Sequence, residues 1–282
     1  MTVSARRLRR FVLVRFCPHV YVTYGVLWTL ALEATATDQW RPSPATVART
    51  ASVVLSLLFL RMLDEQKDLA YDRVHHPDRP LVTGAVSTAE LRAAMSLITV
   101  CVLALNAPIS MVSAALALLV LGYGLALCAV ERRFAAARDH LLLNLAVSYP
   151  VQLLISCYLY LSLATSGVIA ADWRALPVVL VFACVFLHFE FARKTRWHGA
   201  AGERLYSVVL GPALSATVTL CWAVGAVVLI MLLTTTWFVV LLAPPILAAR
   251  RFFAGASESW PLAETMAFVL VSYLSLIAYG LR

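Results

Sequence analysis

Carboxylates are concentrated in one short stretch of the chain. Five of the 15 Asp and Glu residues lie between positions 64 and 78. At about 100° per helical residue, Glu65, Asp68 and Asp72 fall on one side of a helix, and Asp64 adds to that side. Like charges at this spacing repel, so the cluster needs a counter-charge. Mg²⁺ binds a few carboxylates together with waters and phosphate oxygens, and these four residues are therefore candidate magnesium ligands in a diphosphate site.

The same stretch allows a second interpretation, a solvated helix beside a membrane. Arg61, Lys67 and Arg73 are spaced so that they can neutralise the acids as surface ion pairs. Downstream, Asp78-Arg79-Pro80 is typical of a turn, and Arg79 can bind either a phosphate group or lipid head groups. Spacing alone leaves both interpretations open.

A second charged group consists of Glu190, Arg193 and Lys194, at helical positions i, i+3 and i+4. Glu four residues before Lys is the favourable order for a simple intrahelical ion pair. In the functional interpretation, Arg193 and Lys194 instead hold diphosphate oxygens while Glu190 binds metal, because a leaving diphosphate needs neutralisation from any source.

The elements that carry these residues are very apolar. Of 282 residues, 62% are hydrophobic and 13% charged, and the mean hydropathy is +0.84. Soluble domains are nearer one quarter charged, so this composition excludes soluble folds and nucleic-acid binders despite the net charge of +8. The sequence predicts an all-α polytopic membrane protein. We expect a single domain over residues 1–282, with about nine transmembrane helices around a central cavity.

Nine apolar runs are bounded by charges, prolines or small polar clusters. Two of the separations are weak, because only residues 106–108 and 234–236 divide neighbouring runs. Prolines within or beside the runs indicate kinked helices. The predicted spans are roughly 12–32, 46–66, 88–107, 109–131, 141–164, 174–192, 210–233, 235–249 and 262–281.

The basic residues predict the orientation of these spans. With the N-terminus in the cytoplasm, nineteen of the 23 Lys and Arg residues fall on the cytoplasmic side. The exceptions are Arg41, Arg49, Arg174 and Arg282. This bias supports nine spans and a cytoplasmic N-terminus, and we expect a multi-pass protein of a bacterial inner or plasma membrane.

The first acidic stretch also resembles a known signature. Residues 64–72 read Asp-Glu-x-x-Asp-x-x-x-Asp, followed by Pro77-Asp78-Arg79-Pro80-Leu81 and Gly84. This pattern is similar to the first motif of the UbiA-type intramembrane prenyltransferases, N-D-x-x-D-x-x-x-D with a downstream R-P and Gly. Asp64 and Glu65 replace the Asn and the first Asp of that motif, and both changes keep oxygen ligands. The nine spans fit that family as well.

In that family a second aspartate motif, on the sixth span and the loop after it, faces the first across a central cavity. The matching region here runs from His188 to Arg196 and continues to Glu203, Tyr206, Ser207 and Gly211. Glu190 stands for the first aspartate of this motif. Lys194 occupies the place of the second acid, and Glu203 is the acid that can replace it.

Asn144 and Gln152 are uncharged polar residues within the fifth span, where each must find a partner. Either they line the pocket, or they bind neighbouring helices.

The residues and the resemblance together imply a Mg²⁺-dependent membrane prenyltransferase. It would move an isoprenyl group from an isoprenyl diphosphate to a hydrophobic acceptor, aromatic or lipid, within the bilayer. Asp68, Asp72 and Lys194 are the expected catalytic residues, and Asp64, Glu65, Asp68, Asp72 and Glu190 the expected metal ligands. The expected substrate-binding residues are Lys67, Arg79, Arg193, Lys194, Tyr206 and Asn144.

Two alternatives remain at this stage. The first is a UbiA-type terpene cyclase, in which a double bond of the same chain captures the allylic cation. The second is a non-catalytic transporter or lipid-binding membrane protein. Transporters carry their polar site near the bilayer midplane between repeats, whereas the charges here gather at one face of the predicted bundle.

Overall fold

A computed structural model of the chain describes residues 5–134, 140–199 and 203–282, and this part of the chain is an all-α bundle. We number the α-helices in chain order. They are α1 Ala5–Phe11, α2 Pro18–Ala36, α3 Pro44–Lys67, α4 Leu69–His75, α5 Thr88–Asn106, α6 Met111–Arg133, α7 Leu141–Ser148, α8 Pro150–Thr165, α9 Ala175–Ala192, α10 Tyr206–Leu210, α11 Pro212–Leu233, α12 Ala243–Phe253 and α13 Leu262–Gly280. A π-helical turn, Val12–Phe16, follows α1, and a 3₁₀-helix, Thr236–Leu242, precedes α12.

The prediction of about nine spans is confirmed. Within the described residues, eight helices or joined helix pairs are long and apolar enough to cross a membrane, and a bent pair brings the number to nine. In both pairs of weakly separated spans the neighbours are separate helices, since α5 ends at Asn106 and α11 ends at Leu233.

Prolines interrupt the spans where the sequence indicated kinks. The first span is bent by 68° between Ala5–Phe16 and Pro18–Ala36. Cys17 sits at the bend with a left-handed backbone (φ 45°), and Pro18 begins the next helix. Pro150 begins α8, and the predicted span 235–249 is a 3₁₀-helix followed by α12, which contains Pro244 and Pro245. Proline cannot donate a backbone hydrogen bond, so each helix restarts there.

Side chains fix several of the other helix starts. Ser43 and Thr46 form a capping box at the start of α3, and Ser87 and Glu90 form a second one at α5. Ser110 caps α6 through the backbone N–H of Ser113. Each cap satisfies backbone donors that would otherwise be unpaired at a helix N-terminus.

The helices bring the charged residues to one end of the bundle, which we call the charged end. Helices α3, α6 and α9 end there, and α5 and α13 begin there. Arg138, which the sequence places on this side, lies outside the described residues. The core between the two ends is built mainly from α2, α3, α6, α8, α9 and α11, with α9 packed most extensively against α11.

The opposite end contains a buried ion pair. Arg49 in α3 donates from Nε to Glu33 Oε1 in α2 at 2.5 Å, and both side chains are almost fully buried. Glu33 also accepts hydrogen bonds from Thr46 and Trp40. The sequence analysis counted Arg49 among the four cations away from the cytoplasmic side, and the structure shows that this residue links α2 to α3 inside the bundle.

Candidate functional site

The acidic stretch 64–72 is not one continuous helix, as its spacing predicted. Helix α3 ends at Lys67, Asp68 lies at the break, and α4 carries Asp72. Asp64 is at the surface, with its side chain 52% exposed and 3.6 Å from Lys67 Nζ. Asp72 is buried, and its Oδ2 accepts a hydrogen bond from Arg79. The break therefore separates half-buried Asp68 from Asp64 and Glu65 on α3 and from buried Asp72 on α4.

Glu65 is fully engaged by cations. Its side chain is buried, and its Oε1 lies 2.7 Å from Arg15 Nε and 2.9 Å from Arg61 Nη2. The bend at Cys17 brings Arg15 of the first span against α3. Two arginines neutralise this carboxylate, so Glu65 holds the N-terminal segment against the bundle and has little charge left for a metal ion.

Lys67 is the centre of a network that joins three spans. Its Nζ lies 2.9 Å from Glu131 Oε2 at the end of α6, and Glu131 is buried. Asn144 in α7 donates to Glu131 Oε1 at 3.0 Å. Two residues predicted to bind substrate, Lys67 and Asn144, are thus connected through an acid that the sequence analysis did not select.

Glu190 lies at the end of α9 between two cations. Arg193 Nε is 2.6 Å from Glu190 Oε2, and Lys194 Nζ is 2.7 Å from Oε1. The Tyr206 hydroxyl donates to the same Oε1 at 3.2 Å, and Lys194 Nζ lies 5.0 Å from the centroid of the Tyr206 ring. Burial and the neighbouring Glu190 raise the pKa of Tyr206, which keeps its hydroxyl a donor.

Arg204 links the two charged regions. It follows α9 in the loop that leads to α10, and its guanidinium lies 5.6 Å from the centroid of the Tyr71 ring in α4. Its charge also acts on Asp68. Glu203, the candidate replacement for the second acid, lies 3.8 Å from Arg196. The two predicted motifs therefore approach each other through a cation rather than through opposed carboxylates.

The remaining acids, Asp68 and Asp72, are suited to a cation. In the described ranges 5–134, 140–199 and 203–282, no three His, Cys, Asp or Glu residues are already arranged to hold a metal ion. Asp72 Oδ1, however, is buried without a hydrogen-bond partner. Partial burial raises the pKa of Asp68, and the nearby negative charges of Asp72 and Glu131 raise it further. A divalent cation bound by Asp68 and Asp72 would give Asp72 Oδ1 a partner and would offset the negative charge around Asp68.

The sequence analysis missed three contributors to this end of the bundle: Arg15, Glu131 and the position of Arg204. Glu131 carried a signal, because it is the only acid between Glu90 and Asp139 and it ends an apolar span. Buried carboxylates in such positions are rare unless they are paired. Arg15 carried none, since its partner Glu65 is 50 residues away.

No family model matches the sequence, and no curated protein matches it. Solved structures do share its fold. The apo structure of a UbiA homologue from Aeropyrum pernix K1 superposes with a TM-score of 0.66 at 19% identity, covering 93% of this chain and 96% of that chain. A UbiA homologue from Archaeoglobus fulgidus bound to GPP and Mg²⁺ gives 0.60 at 17%, covering 96% and 98%. The structure of a digeranylgeranylglyceryl phosphate synthase gives 0.64 at 14%, covering 98% and 99%.

The bundle is therefore that of an intramembrane protein with charged residues collected at one end. It shares the fold of these UbiA homologues and of the synthase over nearly its whole length.

Proposed function

We propose that the protein is a Mg²⁺-dependent membrane prenyltransferase, which moves an isoprenyl group from an isoprenyl diphosphate to a hydrophobic acceptor. The observation that carries this proposal is the buried, unpartnered Oδ1 of Asp72 beside half-buried Asp68, at a bundle end rich in cations. The fold adds support, because one UbiA homologue that shares it is bound to GPP and Mg²⁺.

Asp68 and Asp72 are the residues that would hold Mg²⁺. Both offer the carboxylate oxygens that this ion prefers, and waters and phosphate oxygens would complete its coordination shell. A Mg²⁺ ion held there would supply positive charge against the leaving diphosphate. Glu65 and Glu190 are each neutralised by two cations. In this proposal Glu65 and Glu190 position those cations, and exposed Asp64 does not bind the metal ion.

Cations on both sides of Asp68 bind the diphosphate. Arg79 is bonded to Asp72, and Arg204 lies over α4. Lys194 has three N–H donors, of which Glu190 needs one, so the others can reach phosphate oxygens. Arg193 likewise uses its Nε for Glu190 and keeps its terminal nitrogens for the substrate. Fixed positive charge aimed at a leaving group lowers the barrier to its departure.

Product analysis tests this proposal and separates it from cyclisation. Purified protein is incubated with Mg²⁺ and isoprenyl diphosphates of different chain length, with and without aromatic acceptors or a membrane lipid extract. A prenylated product that forms only with acceptor supports the transferase. A cyclic hydrocarbon formed without acceptor identifies a terpene cyclase instead. Unchanged diphosphate under every condition contradicts both.

A further inference from the structure

A large groove lies outside the charged site, between α3, α5 and α6. Its volume is about 780 Å³. Its wall is mostly apolar, and Phe59, Leu63, Leu121 and Leu125 are among its lining residues. Gly122 also lines it, and a Cβ added there would meet no atom within 4 Å. The groove is thus an open apolar channel on the membrane-spanning surface.

Three arginines line the groove as well: Arg92 at the start of α5, and Arg132 and Arg133 at the end of α6. All three are exposed, and Arg92 Nε donates to Gln66 Oε1 at 3.3 Å. Among residues 5–134, 140–199 and 203–282, none of the three has a carboxylate partner. Within the described residues, three arginines without a carboxylate partner are therefore concentrated at the charged end of the groove.

The length of the groove is comparable to the depth of one membrane leaflet. Along α6 its lining runs from Leu118 to Arg133, which corresponds to about 22 Å at 1.5 Å per helical residue. The hydrocarbon core of a bilayer is about 30 Å thick. With the arginines at head-group depth, an apolar wall of this length reaches past the midplane of the bilayer.

The groove is separate from the candidate catalytic site. None of the candidate metal ligands or substrate-binding residues lines it. Gln66 faces the groove, whereas its neighbour Lys67 is bonded to Glu131 on the other side. A molecule in the groove would lie against the outside of α3 without entering the charged site.

We infer that this groove binds an anionic phospholipid from the membrane leaflet at the charged end. The phosphate-bearing head group binds Arg92, Arg132 and Arg133, and one hydrocarbon chain lies along the apolar wall. A free anion would leave that wall uncovered, and a purely apolar partner would leave three arginines without counter-charge. Only a molecule with both parts, arranged in this order, satisfies the whole groove.

Native mass spectrometry of the full chain tests this assignment, with phosphatidylglycerol and phosphatidylcholine of identical acyl chains offered in equal amounts. Wild-type protein should retain phosphatidylglycerol in preference, because each basic residue near a membrane surface strengthens binding of an anionic lipid about fivefold. The Arg132→Gln/Arg133→Gln variant should lose at least about tenfold of that preference on the same basis. The matched control is Arg9→Gln/Arg10→Gln, an adjacent exposed pair outside the groove, and it should retain the preference.

A steric variant tests the apolar part. Gly122→Phe places a ring in the groove without an initial clash and should reduce retention of both lipids. Leu119→Phe adds a ring on the exposed face of the same helix and should change nothing. Equal retention of the two lipids by wild type would overturn the assignment, and so would an unchanged preference in the arginine variant. A dimer that Gly122→Phe dissociates, with lipid retention unaltered, would assign the groove to a second copy instead.

Discussion

The carboxylates that we assign to the candidate site differ in how completely basic side chains neutralise them. Glu65 and Glu190 are each in contact with two basic side chains. Asp72 has one such contact and a buried oxygen without a partner, while Asp68 is half-buried near further negative charge. A metal ion gains most where neutralisation is incomplete, so we expect Asp68 and Asp72 to dominate metal binding.

Replacement of either aspartate tests this expectation. Asp68→Asn and Asp72→Asn should each lower diphosphate-dependent turnover at least ~100-fold, about 2.7 kcal/mol, because each removes one ligand charge. The measurement is initial rate against Mg²⁺ concentration, with membrane insertion checked in parallel. Asp78→Asn makes the same chemical change at an exposed position in the same region and should leave the rate unaltered. If Asp68→Asn and Asp72→Asn turned over at the wild-type rate, as the control Asp78→Asn should, these residues would not be metal ligands.

Replacement of Lys194 tests whether this residue binds substrate or only forms a structural ion pair with Glu190. If it binds the diphosphate, Lys194→Ala should lower turnover about tenfold or more, equivalent to ~1.4 kcal/mol. Thermal stability should change little, because Arg193 and Tyr206 still contact Glu190. The control is Arg196→Ala, which removes an exposed cation 3.8 Å from Glu203 and should keep full activity. Normal turnover with a lowered Tm would make Lys194 a structural ion-pair partner.

Residues close in sequence were the predictable part of the site. The acids of positions 64–72 and the group Glu190, Arg193 and Lys194 are readable because local spacing places them together. The long-range partners were not readable, since nothing local connects Lys67 to Glu131 or Arg15 to Glu65. Those contacts depend on how the spans pack, which hydropathy does not encode.

At the scale of the helices, apolar length predicted the spans well and proline predicted where they are interrupted. The predicted run 46–66 is observed as Pro44–Lys67, and 88–107 as Thr88–Asn106. The conversion of residues 236–242 to a 3₁₀-helix was not predicted, and neither was the break at Asp68. No proline or glycine lies at Asp68, so tertiary packing rather than local sequence determines that break. Pro244 and Pro245 lie just after residues 236–242 and cannot donate backbone hydrogen bonds to them, so local sequence contributes to the loss of α-helix there.

The Glu33–Arg49 pair provides a prediction at this scale. Arg49→Met should destabilise the protein by about 3–5 kcal/mol, because Glu33 would remain buried without its cation. Adding Glu33→Gln to that variant should recover part of the loss. The exposed pair Arg174–Asp38, on the same end of the bundle, is the matched control, and Asp38→Asn should cost no more than ~1 kcal/mol. Thermal unfolding in detergent measures all three variants, and similar shifts for both pairs would refute the special role of burial.

At the scale of the whole molecule, the two ends of the bundle should face opposite compartments. Reporter fusions after residues 76, 199 and 254 lie at the charged end and should report cytoplasm. A fusion after 135, expected on the same side, lies outside the described residues. Fusions after 40 and 172 lie at the opposite end and should report the other compartment. A cytoplasmic signal at 172 would contradict the order of the spans.

The central claim is that the charged end binds an isoprenyl diphosphate together with Mg²⁺, and calorimetric titration of the purified protein with geranyl diphosphate measures this without needing an acceptor. We predict saturable binding in Mg²⁺ that is lost in excess EDTA, and binding by Asp72→Asn weakened at least about tenfold, or ~1.4 kcal/mol. Asp78→Asn should bind like wild type. Binding of equal strength with EDTA, or no binding of isoprenyl diphosphates of any length with Mg²⁺, would contradict the account.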